Sequence, residues 1–261
     1  MIALFTDFGI QDAYVAQMKG VILSINPQAH LIDLTHDITP FHIHEAAYLL
    51  EQSTRYLPAG TVIVAVVDPG VGTSRRPVVV LTEVEKYYVG PDNGLFSGVI
   101  QHERLKQASV LREAAYFRCA EVSATFHGRD IFAPVAAHLT LGIALERFGP
   151  RITDLVIRPF AQPQMHHGTV CGTVLHIDRF GNVVTNIAQG LLPTLYPGQL
   201  VHVSLAEQHH AIPFYPTYGA APRNTLICLI NSDARLEFAI PQGAAAHNLP
   251  VQVGDQIMVA L

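Results

Sequence analysis

The chain has 261 residues, 49% of them hydrophobic and 14% charged, with a formal net charge of −5. That composition excludes a disordered or low-complexity chain, which could not bury enough apolar surface to offset its ordering entropy. With 21 acidic against 16 basic residues and no Lys/Arg block, it also lacks the footprint of a nucleic-acid binder, so a small soluble ligand is expected instead. Length alone allows one large domain or a larger and a smaller one. The longest apolar run, Val62 to Val67, stops at Asp68, far short of the roughly 20 residues of a membrane span, so no membrane partner is expected. The first residues carry no basic region or small-residue cleavage site, and no secretory leader is expected. Cys119, Cys171 and Cys228 are widely spaced and form no CxxC pair, which predicts buried thiols in a cytoplasmic protein. So few charges leave much neutral surface, which fits a chain that covers part of it by self-association.

In chain order, Ile2 to Phe5 reads as a strand. Tyr14, Met18, Val21, Ile22 and Ile25 then repeat at helical spacing, with Asp12 as the expected N-cap and Pro27 as the stop. His30 to Leu34 predicts a second strand. Thr39-Pro40 predicts an N-cap followed by proline in the first turn of a helix that ends near Leu57-Pro58. Thr61 to Val67, Pro77 to Leu81 and Tyr87 to Val89 are continuous apolar strands, and Ile131 to Leu145 is a further apolar helix. This alternation predicts an α/β domain over residues 1–160, with a mostly parallel sheet and helices on both faces. The prolines of Arg158 to Gln164 break the pattern. Gly168 to Ile177, Val183 to Ile187, Leu200 to Leu205, Leu226 to Ile230, Arg235 to Ala239 and Gln256 to Leu261 are then short strands between Gly, Pro and Asn, predicting a smaller all-β, barrel-like domain over 166–261.

Ligands of open α/β sheets sit beyond the carboxyl ends of the strands. Four polar segments take such places: Thr6-Asp7-Phe8-Gly9, Asp68-Pro69-Gly70-Val71-Gly72, Pro91-Asp92-Asn93-Gly94 and Phe126-His127-Gly128-Arg129-Asp130. They gather Asp7, Asp68, Arg75, Arg76, Asp92, Asn93, His127 and Arg129 at one edge. Each also has an ordinary structural reading. Asp92-Asn93-Gly94 is equally a turn, and Asp12 and Asp130 suit helix caps. Gly70-Val71-Gly72 lacks the third glycine and lysine of a phosphate loop. The pairs His42/His44, His166/His167 and His209/His210 match no zinc spacing, so no metal or other cofactor is expected. In the second domain, Asp178 to Asn182 and Asn231-Ser232-Asp233 follow strands; a carboxylate with an amide suits a ribose diol or an amino-acid ammonium, and a pair of β-turns equally.

Taken in order, Thr6-Asp7-Phe8-Gly9, Val67 to Arg75, Pro91 to Leu95, Phe126 to Pro134, Asp178 to Asn182 and Asn231-Ser232 resemble the S-adenosyl-L-methionine hydroxide adenosyltransferases, relatives of the fluorinase and chlorinase. The resemblance covers essentially the whole chain. It implies an α/β domain followed by a β-barrel-like one, and a homotrimer with active sites at subunit interfaces. It further implies hydrolysis of S-adenosylmethionine to adenosine and L-methionine. By resemblance, Asp68, Arg75 and His127 are the water-activating triad, Asp7 holds the ribose diol, and Asp178, Asn182 and Ser232 surround the methionine portion. Asp92 and Asn93 are added as substrate-binding candidates from their strand-end place. Halogenating relatives carry Tyr where this chain has Asp68, and the fluorinase has a loop insertion after the Pro77–Leu81 strand that is absent here, so halide transfer is not expected. The fluorinase also has Arg where this chain has Asp233.

The chemistry is consistent with those residues. A sulfonium leaves as a neutral thioether and needs no acid, so the demand falls on the water: a carboxylate to orient or deprotonate it, and donors to stabilise hydroxide character. Two other readings stand beside this one. A metal-dependent nucleotide or phosphate-ester hydrolase would gather Asp7, Asp68 and Asp92 around a divalent ion. A sensor would bind S-adenosylmethionine or adenosine without turnover.

Overall fold

The protein is described by a computed structural model over residues 1–205 and 208–260. It divides into two compact units, Met1–Phe160 and Ala161–Leu261. In the first, β1 (Ile2–Thr6), α1 (Tyr14–Ile25), β2 (Leu31–Thr35), α2 (Ile43–Thr54) and β3 (Val62–Val66) alternate as read from the sequence. They are followed by β4 (Pro77–Thr82), β5 (Tyr87–Pro91), α3 (Ser97–Glu103), β6 (Leu105–Val110), α4 (Ala133–Thr140) and β7 (Arg151–Ile152). The strands form one sheet in the order β2-β1-β3-β5-β4-β6-β7.

Successive strand residues feed opposite faces, which is why the strand sequences are apolar throughout. Ile2, Leu4, Val62, Val64 and Val89 pack with Met18, Ile22, Phe132 and Val135 under α1 and α4. Ala3, Phe5, Ile63, Ala65 and Tyr88 pack with Leu50, Leu95 and Val99 under α2 and α3. The sheet is parallel across β2, β1, β3 and β5, with α1 and α2 making the crossovers among the first three and β4 lying in the chain between β3 and β5, and antiparallel across β5, β4, β6 and β7. The change of direction is a matter of link length. Only Glu83 to Lys86 separate β4 from β5, with Glu85 at a φ of 60°, and so short a link makes a hairpin.

Several helix ends differ from the sequence reading. Asp12 is not a cap: α1 follows Ala13 and has no side-chain cap. Thr39-Pro40 does not open α2, because Phe41 has a φ of 69° and delays the helix to Ile43. The helix expected from Ile131 to Leu145 opens earlier, as a π-helical turn over Gly128–Phe132, and ends at Thr140 before Gly142 at a φ of 84°. Of the three cysteines only Cys228 is buried; Cys119 and Cys171 are half-buried.

The second unit holds β8 (Gln164–His166), β9 (Thr169–Ile177), β10 (Val183–Ala188), β11 (Leu200–Leu205), β12 (Gln208–Pro213), β13 (Ile227–Ile230), β14 (Arg235–Ala239), a short α5 (Ala245–Asn248) and β15 (Gln256–Ala260). The last residue of the strand expected over Gln256 to Leu261 lies outside the described residues. All named pairings are antiparallel, in the order β12-β11-β15-β9-β10-β14-β13 with β8 on β9. The ends of this sheet meet where Tyr215 N–H donates to the Cys228 carbonyl at 2.9 Å, giving a near-barrel around Val170, Val183, Val203, Leu236, Phe238 and Ile257. Among the described residues no helix is long and apolar enough to cross a membrane.

Candidate active site

The parallel strands of the first unit end together, so Asp7 follows β1 and Asp68 follows β3 by one residue. The turn from Asp68 to Arg75 is closed locally: Val71 N–H donates to the Asp68 carbonyl, and the Thr73 hydroxyl to the Gly70 carbonyl at 2.7 Å. Gly72 is required here. Its φ is 75°, and a Cβ would stand 2.2 Å from the Ala124 carbonyl oxygen, so only glycine lets this turn lie against the segment that carries His127. Arg75 consequently reaches both sides. Its Nε donates to both Asp68 carboxylate oxygens at 2.9 Å, Nη2 donates again to Asp68 Oδ2, and the same Nη2 lies 2.9 Å from His127 Nδ1. The Asp68 and Arg75 side chains are only 4% and 8% exposed.

A guanidinium can only donate, so His127 Nδ1 accepts and the ring proton sits on Nε2. Burial and then the Arg75 charge lower the His127 pKa below its ordinary 6.5, outweighing Asp68 and Asp130. The ring therefore stays neutral through the physiological range. An NMR titration is expected to place its midpoint below 6.5, and Arg75→Met to raise that midpoint; a wild-type midpoint at or above 6.5 contradicts the assignment. Because the folded ring binds protons less readily than the unfolded one, its contribution to stability is present above about pH 6.5 and is lost as pH falls below it.

Asp7, Asp68 and His127 line one cavity of about 400 Å³ with Phe8, Tyr14, Phe41, Val66, Val71, Phe126 and Gly128. Burial, with Asp68 nearby, raises the Asp7 pKa, although the Phe41 N–H donates to Asp7 Oδ2 at 3.0 Å. The positive φ of Phe41 that delays α2 thus accompanies an amide turned toward Asp7. Phe8, Tyr14 and Phe126 meet edge to face, with centroids 5.3 to 5.8 Å apart, and form the apolar wall. This wall was missed in the sequence. The helical spacing of Tyr14 reads as core, and only the place of Phe8 and Phe126 beside Asp7 and His127 could have signalled it.

Asp92 and Asn93, expected to bind substrate, are absorbed by the scaffold. Asp92 Oδ2 accepts from Arg76 at 2.5 and 2.9 Å and Oδ1 from Val156 N–H at 2.8 Å, while Asn93 bridges the Val67 carbonyl and the Leu95 amide. Neither lines the cavity. Asp7, Asp68 and Asp92 therefore do not converge as a divalent-ion site, and among the described residues no group of three His, Cys, Asp or Glu is placed to hold one. His42, with its non-helical backbone, precedes α2, and His44 packs on Phe160.

Asp130 is an anchor rather than a cap. It is fully buried and accepts from Arg118 Nε at 2.5 Å, Arg129 Nε at 2.7 Å and Ser123 N–H at 2.8 Å. Burial pushes its carboxyl up, but the hydrogen bonds from Arg129, Arg118 and Ser123 outweigh this and hold it well below the usual carboxylate range. Asp130→Asn is expected to cost about 1–3 kcal/mol in denaturant unfolding, discounted because both arginines are partly solvated. That contribution is present above the ordinary carboxylate pKa of 3.8 and is lost as pH falls through the lowered folded value, so an unchanged unfolding midpoint in the variant refutes the anchor.

In the second unit, Asp178, Phe180, Asn182, Tyr218, Gln242 and His247 line a cavity of about 800 Å³. Asp178 Oδ1 accepts from the amides of Phe180 and Asn182, and Oδ2 from Asn182 Nδ2 at 2.9 Å, so the carboxylate closes its own turn while facing the cavity. Ser232 is on the exposed β13–β14 turn and does not line this cavity. Its neighbour Asn231 is linked to the cavity wall through Glu237, which accepts from Asn231 Nδ2 at 3.1 Å and from the Tyr218 hydroxyl at 2.6 Å.

Residues 2–149 match the SAM hydroxide adenosyltransferase N-terminal domain, and residues 172–258 the C-terminal domain of the same family. The chain belongs to the SAM hydroxide adenosyltransferase family. Within the family, an (R)-S-adenosyl-L-methionine hydrolase of Thermus thermophilus is 37% identical over 95% of both chains. A fluorinase of Actinoplanes is more distant, at 28% identity over 99% of this chain and 97% of its own. The crystal structure of an uncharacterized conserved protein from Thermotoga maritima superposes over the whole of both chains with a TM-score of 0.95 at 35% identity. The two matched domains of this family member fall within its two compact units.

Proposed function

We propose that this protein hydrolyses S-adenosyl-L-methionine to adenosine and L-methionine by in-line attack of water at the ribose C5′. The observation that carries the reading is the Asp68–Arg75–His127 chain, its ion pair buried, which opens through Asp68 and His127 onto the cavity that also holds Asp7. A C5′–O bond forms as the C5′–S bond breaks, and the sulfur keeps the bonding pair and leaves as the neutral thioether of methionine. The water must lose a proton. Asp68 accepts a hydrogen bond from it and takes up that proton as the C5′–O bond forms, returning it to solvent afterwards, while the His127 Nε2–H donates to its oxygen and the remaining lone pair faces C5′. Arg75 fixes both groups, donating to Asp68 and to His127 Nδ1. The Asp7 carboxylate, kept desolvated, holds the ribose diol.

The methionine portion falls to Asp178, Asn182 and Ser232, and the active sites form at the subunit interfaces of a homotrimer. Family resemblance and the exposed Ile10, Phe41 and Phe180 support this assembly. The three free cysteines suit a cytoplasmic location.

Incubation in H₂¹⁸O with the (R) and (S) sulfonium epimers tests the activity, since the relatives are named for the (R) form. Adenosine carrying ¹⁸O at its 5′ oxygen is expected, with methionine, and with no loss of rate in EDTA. No adenosine from either epimer overturns the reading, and loss of activity in EDTA favours the metal-dependent one. Mixing Asp68→Ala and Asn182→Ala chains is expected to restore about a quarter of parental activity if sites are shared between neighbours. No recovery rejects shared sites.

A further inference from the structure

Beneath the loop that carries Asp7 lies a polar chain that the scheme above does not use. Thr6, the last residue of β1, is completely buried, and His36, immediately after β2, is 6% exposed. Because β1 and β2 are parallel neighbours in register at Phe5 and Thr35, these two residues emerge side by side at the carboxyl edge of the sheet. Thr6 Oγ1 and His36 Nδ1 are 2.8 Å apart, and His36 Nε2 is 3.1 Å from Asp33 Oδ1. Asp33 accepts in turn from Lys19 Nζ at 2.6 Å.

The directions of these bonds follow from the chemistry of the groups. The contact with Asp33 is ionic and its angle does not make a hydrogen bond, but it sets a carboxylate beside Nε2 and so favours the ring protonated there, with Nδ1 presenting a lone pair. The Thr6 hydroxyl donates to it. The Thr6 oxygen is then left to accept the Phe8 N–H at 3.3 Å. The backbone adds a second hold, since Gly9 N–H donates to the His36 carbonyl at 2.8 Å. Thr6 to Gly9 is thereby tied at both ends to His36, and the two residues between, Asp7 and Phe8, line the cavity.

We propose that His36 is a positioning residue that sets substrate affinity by holding Asp7 and Phe8 at the cavity wall. The inference rests on the function proposed above for its kinetic consequence, but the hydrogen-bond chain itself is tested without substrate. Asparagine can place its side-chain oxygen where Nδ1 stands and keep the acceptor for Thr6, whereas glutamine extends toward Asp33 and leaves the buried Thr6 hydroxyl without an acceptor. His36→Asn is therefore expected to keep KM within about threefold of the parent, and His36→Gln to raise it about tenfold with kcat within about threefold. In an Asp7→Asn background, His36→Gln is expected to add no more than about twofold to KM, since both changes act through one contact.

Amide hydrogen exchange at Phe8 and Gly9 gives the readout independent of turnover: faster exchange is expected in His36→Gln and not in His36→Asn. Asp33→Ala, at an exposed position where folding is not at stake, is expected to raise KM about two- to fivefold by loosening the ring. Equal KM values for the Asn and Gln variants, full additivity with Asp7→Asn, or unaltered exchange in His36→Gln overturns the proposal. If His36→Gln does not fold, an unchanged KM in Asp33→Ala overturns it. Absence of turnover by the parent protein refutes the proposed function instead, and the exchange measurement then still decides whether His36 holds the loop.

Discussion

Asp68→Asn is expected to lower kcat by about 10²–10⁴-fold while leaving the fold intact, measured as adenosine release at saturating substrate. The substitution keeps the shape of the side chain and one oxygen for the Arg75 donors, but removes the charge. Three things are lost together. Water has no anionic acceptor for its proton, the cationic substrate loses a carboxylate in a partly dry cavity, and an amide NH₂ is turned toward a guanidinium that can only donate. Since the carboxylate acts on water as charge develops, the loss belongs in kcat, with a smaller rise in KM. Retention of more than a tenth of parental kcat contradicts a direct role for Asp68.

Arg75→Met is expected to impair both activity and stability, and the two can be separated. Both members of the Asp68–Arg75 pair are buried, so removing the guanidinium leaves an uncompensated carboxylate, at a cost of about 3 kcal/mol or more. It also releases His127, whose Nδ1 loses its donor. A cycle distinguishes the effects: Arg75→Met combined with Asp68→Asn is expected to be more stable than Arg75→Met alone, because the stranded charge is gone, yet no more active. Arg75→Lys keeps the charge but not the fork that reaches two partners, and should recover stability better than rate. If the double variant is less stable than the single one, burial of the ion pair is not what the arginine compensates.

The parts of this fold that are legible in sequence are those whose burial dictates composition. β1, β3 and the run from Val78 to Val80 are apolar because both faces of the sheet are covered. β6 begins Leu-Lys-Gln, with only Ala108 to Val110 buried, and β12 reads Gln-His-His-Ala-Ile-Pro; neither has the pattern that marks a strand. Strand direction is half legible: apolar runs do not tell parallel from antiparallel, and only the four residues between β4 and β5, too few for a crossover, mark the hairpin. At the site, motif order and strand-end position were enough to nominate Asp68, Arg75 and His127, which the structure brings into contact. They could not separate a strand-end carboxylate that faces a ligand from one that faces its own scaffold. Asp92 is of the second kind because the adjacent Arg76, unlike Arg75, turns to it. The Phe41 amide and the His36 chain were beyond reach, since one is a backbone donor set by a positive φ and the other pairs residues 30 apart.

Gly72 also bears on how this chain can change over generations. Loops ordinarily absorb insertions and deletions, because their backbone faces water and their ends alone are fixed. The segment around Ala124 has no such freedom, as its carbonyl is seated against a glycine fifty-two positions earlier, and the turn at that glycine sets the reach of Arg75. A single inserted residue there shifts the seat while leaving every strand intact. Lineages that lengthen this segment are therefore expected to remain folded and to lose hydrolysis at the same step.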